Sequence, residues 1–66
     1  MDLTVNGEHR TLSGPTSVAE LVSELTHRQT GVAVAVNGEV VPRSTWAARA
    51  LDPGDSVEIL TAVQGG

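Results

Sequence analysis

The 66-residue sequence has no cysteine, no tyrosine, no phenylalanine and one tryptophan, and all of its basic residues are arginine. Without cysteine there can be no disulfide, thiolate zinc site, iron–sulfur ligation or thiol catalysis. The same absence suits a reducing compartment, so a cytoplasmic location is expected. Charge of one sign is also scarce. Four basic residues face eight acidic ones, for a net charge of −4. Nucleic acid binding needs clustered cations to displace counterions, and anionic membranes need the same, so neither partner is expected. The longest unbroken apolar run, Val32–Val36, is far short of a bilayer span. The start Met1-Asp2-Leu3 has neither the basic region nor the apolar core of a secretory signal. A chain of this length makes one domain, here taken as residues 1–66, and buries only ~60% of its unfolded surface. Small folds often lean on disulfides or a metal. This one must rely on a well-patterned core.

Ten valines and repeated alternation mark much of the chain as strand. Leu3 and Val5 alternate with Asp2 and Thr4, and Asn6-Gly7 supplies the positive dihedrals of a two-residue hairpin turn. Glu8–Leu12 is the return strand, broken by Ser13-Gly14-Pro15. Ser17-Val18-Ala19-Glu20 is a capping box. Val18, Leu21, Val22 and Leu25 then follow at helical spacing, which predicts a helix of about ten residues fading near His27–Gly31. Val32–Val36 reads as a strand with valines on one face and alanines on the other. Asn37-Gly38 predicts a second hairpin, with Glu39–Val41 as a short edge strand because Pro42 cannot join a ladder. A helical turn is expected around Trp46 and a tight turn at Asp52-Pro53-Gly54-Asp55. The last strand is read over Ser56–Val63. Val57 and Ile59 face one way, and Glu58, Leu60 and Ala62 the other. Gln64-Gly65-Gly66 has nothing to pack and reads as a flexible tail. The order hairpin, helix, hairpin, strand defines an α+β domain with one helix on one sheet.

Catalytic candidates are few. His9 reads as a solvated strand residue and His27 as a partner for the last carbonyls of the helix. Asp52 and Asp55 read as turn residues. We therefore assign no catalytic side chain, no metal ligand and no cofactor bound by the chain itself. Arg43 and Arg49 bracket Trp46, which makes either a small recognition patch or, as we favour, a plug closing a core short of aromatics. Ala33, Ala35, Leu60, Ala62 and Val63 lie around the root of the tail. Most of these fall on the sheet face away from the helix and form a candidate docking patch.

Two consecutive glycines arise by chance at about one position in 200, at ~7% glycine. Gly65-Gly66 closes this sequence directly after the final strand. Glycine has no Cβ, so such a tail can thread a narrow channel and present a carboxylate to another protein's active site. A carboxylate is a poor acyl donor and needs activation, for example as an acyl-adenylate made from ATP. A frayed linker end fits the same residues equally well. The missing lysine suits a protein whose activated acyl end must avoid amines, and it suits a genome that simply writes arginine.

The stretch Val32–Ser44, with Trp46, Leu51, Gly54-Asp55, the tail Thr61–Gly66 and the early Val5-Asn6-Gly7-Glu8, resembles the ThiS family of sulfur carriers from end to end. The resemblance implies a ubiquitin-like β-grasp fold, a mixed sheet of about five strands on one helix with parallel first and last strands. It further implies that Gly66 is adenylated by a ThiF-type adenylyltransferase using ATP and converted to a thiocarboxylate by sulfur from a cysteine desulfurase relay. Gly66 would then yield that sulfur to thiazole synthase, and Gln64 and Gly65 would thread the partner's channel. Alternatives are a molybdopterin-type sulfur carrier, which shares fold and tail, a non-covalent ubiquitin-like binding module, and a small enzyme.

Overall fold

The early alternation is realised as strand β1 (Asp2–Val5), paired antiparallel with β2 (Glu8–Thr11), in a computed structural model that describes residues 1–26 and 31–61. Helix α1 (Val18–Leu25) follows, then β3 (Val32–Val36), β4 (Glu39–Val41), a 3-10 turn (Arg43–Thr45) and β5 (Ser56–Thr61). Both hairpins turn where they were expected. Asn6 and Gly7 have φ of 51° and 81°, and Asn37 and Gly38 have 52° and 81°. Positive φ at both central residues matches the right-handed twist of the flanking strands.

The five strands form one sheet in the order β2-β1-β5-β3-β4. β1 runs parallel to β5, and β3 runs antiparallel to both β5 and β4. The last strand in sequence is therefore the central strand in space, and the parallel first and last strands implied by the resemblance are found. Val57 and Ile59 are buried while Glu58 and Leu60 are exposed, as the alternation requires. Among the described residues β5 ends at Thr61. Ala62 and Val63, expected to continue it, lie outside the described residues, as does His27.

Helix α1 begins with the expected capping box. Ser17 Oγ accepts the Glu20 N–H at 3.1 Å, and Glu20 Oε1 accepts the Ser17 N–H at 3.2 Å. The other donors of the first turn are met from a distant segment. Val18 N–H donates to the Arg49 carbonyl at 2.9 Å and Ala19 N–H to the Trp46 carbonyl at 3.2 Å. Helix N-termini leave such donors orphaned, and residues 46–51 here wrap the end to satisfy them. Val18, Leu21 and Val22 are buried against the sheet and Leu25 packs at the margin of the core. The helix spans its apolar stripe in eight residues, fewer than the roughly ten expected, because Thr26 at its C-terminus is already extended (φ −152°).

Trp46 resolves as the plug. Its side chain is buried and its indole N–H donates to the Val41 carbonyl at 2.9 Å, while the Arg43 guanidinium lies 5.7 Å from the ring centroid. With the ring spent on the core, the alternative of a Trp46-centred recognition patch is not realised. Among the described residues no helix is long and apolar enough to cross a membrane.

Candidate functional site

The candidate docking site is the open face of the sheet beside β5, the strand that precedes the tail in sequence. Strand register decides which residues share that face. Ala33 lies opposite Leu60, and Ala35 lies opposite Glu58 on one side and Val40 on the other. Directly paired residues point the same way. The helix covers the opposite face, so these side chains are left to solvent. Leu60 is 67% exposed and Val40 73%, the two large hydrophobics left bare among the described residues. With Ala33 and Ala35 they line a shallow depression that Glu58 also borders. The expected association of Ala33, Ala35 and Leu60 is thus found. Ala62 and Val63, read as part of the same patch, lie outside the described residues, as do Gln64, Gly65 and Gly66.

Val40 is the member that sequence reasoning missed. The signal was available. A two-residue loop at Asn37-Gly38 pairs Val36 with Glu39 and therefore Ala35 with Val40. That register puts Val40 on the alanine face.

β5, which precedes the tail in sequence, is clamped by the two turn asparagines. Asn6 Oδ1 accepts the Ile59 N–H at 2.8 Å, and Asn6 Nδ2 donates to the Ile59 carbonyl at 3.2 Å. One side-chain amide thus pairs with both backbone groups of a β5 residue, prolonging the ladder where β1 turns away. Asn37 does related work at the other end. Its Oδ1 accepts the Ser56 N–H at 2.9 Å and its Nδ2 donates to Asp55 Oδ1 at 3.0 Å. Asp55 is buried, with its other carboxylate oxygen accepting the Asp52 N–H at 2.8 Å. The expected turn role of Asp52 and Asp55 is met, and Asp55 also ties that turn to the β3–β4 hairpin.

The remaining half of the open face is polar. His9 Nε2 lies 3.6 Å from Asp2 Oδ1, with both side chains about two-thirds exposed (67% and 66%). The Thr11 hydroxyl donates to the same Asp2 oxygen at 2.8 Å. Among the described residues no group of three or more potential ligands is placed to hold a metal ion.

A single helix on a five-stranded mixed sheet, with parallel β1 and β5 at its centre, defines a ubiquitin-like β-grasp domain. The chain belongs to the ThiS family, whose model matches residues 3–66. It is similar to the ThiS thiamine biosynthesis protein of Geobacter metallireducens, whose crystal structure superposes with a TM-score of 0.82 at 42% identity over the whole of both chains. A solution structure of a thiamine biosynthesis protein from the same organism gives 0.82 and 42%, covering 88% of that chain. The sulfur carrier protein ThiS of Escherichia coli is 32% identical over 66 residues, the full length of both proteins. A thiazole synthase of Paramagnetospirillum magneticum is 41% identical over 66 residues, which is all of this chain but only 20% of that protein.

Proposed function

We propose that this chain is a cytoplasmic sulfur carrier of thiamine biosynthesis whose reacting group is the carboxylate of Gly66. The observation that carries the reading is an end-to-end match to a protein named as a sulfur carrier, combined with a Gly-Gly tail that follows the clamped central strand. The α-carboxyl is ionised at neutral pH and is a poor acyl donor. A ThiF-type adenylyltransferase would supply ATP. The carboxylate oxygen attacks the α-phosphorus, pyrophosphate leaves, and an acyl-adenylate forms. A persulfide sulfur from a cysteine desulfurase relay then attacks the acyl carbon and expels AMP, and a second thiol of the relay cleaves the resulting acyl disulfide, leaving the C-terminal thiocarboxylate and a relay disulfide. Thiazole synthase takes that sulfur for the thiazole ring. The match to a segment of a thiazole synthase supports this step, since one polypeptide there joins a carrier-like region to a protein of that name. In this scheme the carrier supplies no catalytic side chain and binds no cofactor. Its tasks are to fold, to dock through the Ala33–Ala35–Val40–Leu60 face, and to present Gly66 through Gln64 and Gly65.

Intact-mass measurement tests the reading. With ATP, the adenylyltransferase and a sulfur source, the chain gains one sulfur for one oxygen, and deletion of Gly66 abolishes the gain. A tail-deleted chain that supports thiazole formation as well as the parent would overturn the carrier role in favour of a non-covalent module.

A further inference from the structure

Glu58 stands on the open sheet face between Ala35, its cross-strand neighbour on β3, and Leu60, two residues further along β5. It borders the same depression as Ala33, Ala35, Val40 and Leu60. Its carboxylate forms no ion pair among the described residues, where the one such pair joins His9 and Asp2. The described arginines are engaged or placed elsewhere. Arg10 lies opposite Leu3 and so on the helix side of the sheet, Arg43 sits over Trp46, and Arg49 bonds the Ala50 carbonyl. Among the described residues this carboxylate is therefore uncompensated, and it sits within an exposed apolar patch.

A protein that covers the patch must cover Glu58 with it. Desolvating a carboxylate is strongly unfavourable unless a counter-charge arrives with the covering surface. Arginine meets that demand best. Its guanidinium can engage both carboxylate oxygens, and it is weakly hydrated enough to lie against Leu60 and Val40. The geometry points to a docking partner whose contact surface is apolar and presents one arginine to Glu58. This rests on the carrier reading, with the adenylating enzyme as that partner. The apolar residues then supply the area, while Glu58 fixes orientation and rejects surfaces that bring an acid or nothing to this point.

The test titrates the purified chain onto its adenylyltransferase without ATP, at low and high salt. Four variants accompany the parent: Glu58→Gln, Glu58→Arg, Leu60→Asp and Glu24→Arg. The last changes net charge as much as Glu58→Arg does, but on the exposed side of the helix. Thermal unfolding confirms that each is folded. Glu58→Arg is expected to weaken binding at least about tenfold. Glu58→Gln should weaken it less and flatten its salt dependence, and Glu24→Arg should leave it near the parent. If Glu24→Arg weakens binding as much as Glu58→Arg, only overall charge matters and the inference is overturned. If Leu60→Asp loses binding while Glu58→Arg retains it, the inference fails and the docking face stands. If both bind like the parent, the docking face fails too.

Discussion

Asn6 and Asn37 each do two jobs. The Asn-Gly pairs were legible as turns because few residues other than glycine tolerate positive φ cheaply. What the side chains do was not legible, because Asn6 bonds Ile59 across a separation of 53 residues. That contact exists only once β1 and β5 are neighbours, and no local pattern encodes their adjacency. Asn6→Gly keeps the turn and removes both side-chain bonds. At about 1 kcal/mol per bond the loss should be about 2 kcal/mol. For a domain of this size that lowers the melting temperature by roughly 10 °C. Asn6→Asp should fall at least as far, since it places a carboxylate oxygen against the Ile59 carbonyl in place of an amide donor. Melting temperatures for both variants within a degree or two of the parent would dismiss the clamp. Trp46 illustrates the opposite outcome. One aromatic in a chain of valines favoured a core plug over a recognition patch, and the structure buries it.

Among the elements, the helix was the most legible and also the most dependent on its neighbours. Its capping box and apolar stripe are local signals and were found where read. Eight residues are too few to hold a helix in isolation, where roughly 12–15 are marginal. The stability comes from burying Val18, Leu21 and Val22 and from residues 46–51, whose carbonyls close the first turn. That second contribution was not visible in the sequence, since an irregular segment carries no periodicity to show what it wraps. Ser17→Ala should cost about 1 kcal/mol, and Ser17→Gly only a few tenths, if capping dominates at this position. Denaturant titration of the two variants distinguishes them. Equal losses would mean that the Ser17 cap does not dominate at the helix start.

For the whole molecule, the alternation within strands settled which residues face the helix, and hairpin register set the pairs across β1–β2 and β3–β4. The order β2-β1-β5-β3-β4 did not follow from spacing and was carried by family resemblance. The assembled sheet creates what no single strand has, an apolar half-face flanked by the polar Asp2–His9 half. Because Leu60 and Val40 already stand in water, Leu60→Asp should change folding stability by no more than about 1 kcal/mol. The same variant should severely reduce thiocarboxylate formation. Intact mass under limiting adenylyltransferase, read beside a thermal melt, checks both halves. A variant that is charged with sulfur at the parent rate would remove the face from the mechanism.

The parallel pairing of β1 with β5 also has a mechanical meaning. The start of β1 and the end of β5 lie at opposite ends of the sheet, and β5 is bonded on both flanks. A pull applied at Thr61 against Met1 therefore loads the ladder lengthwise. The Thr4–Asp55 and Asn6–Val57 backbone bonds and the Asn6 side-chain pair must then yield together rather than unzip one at a time. Under the proposed carrier role, a chain end drawn into partner enzymes and released again would be anchored in a geometry that resists tension.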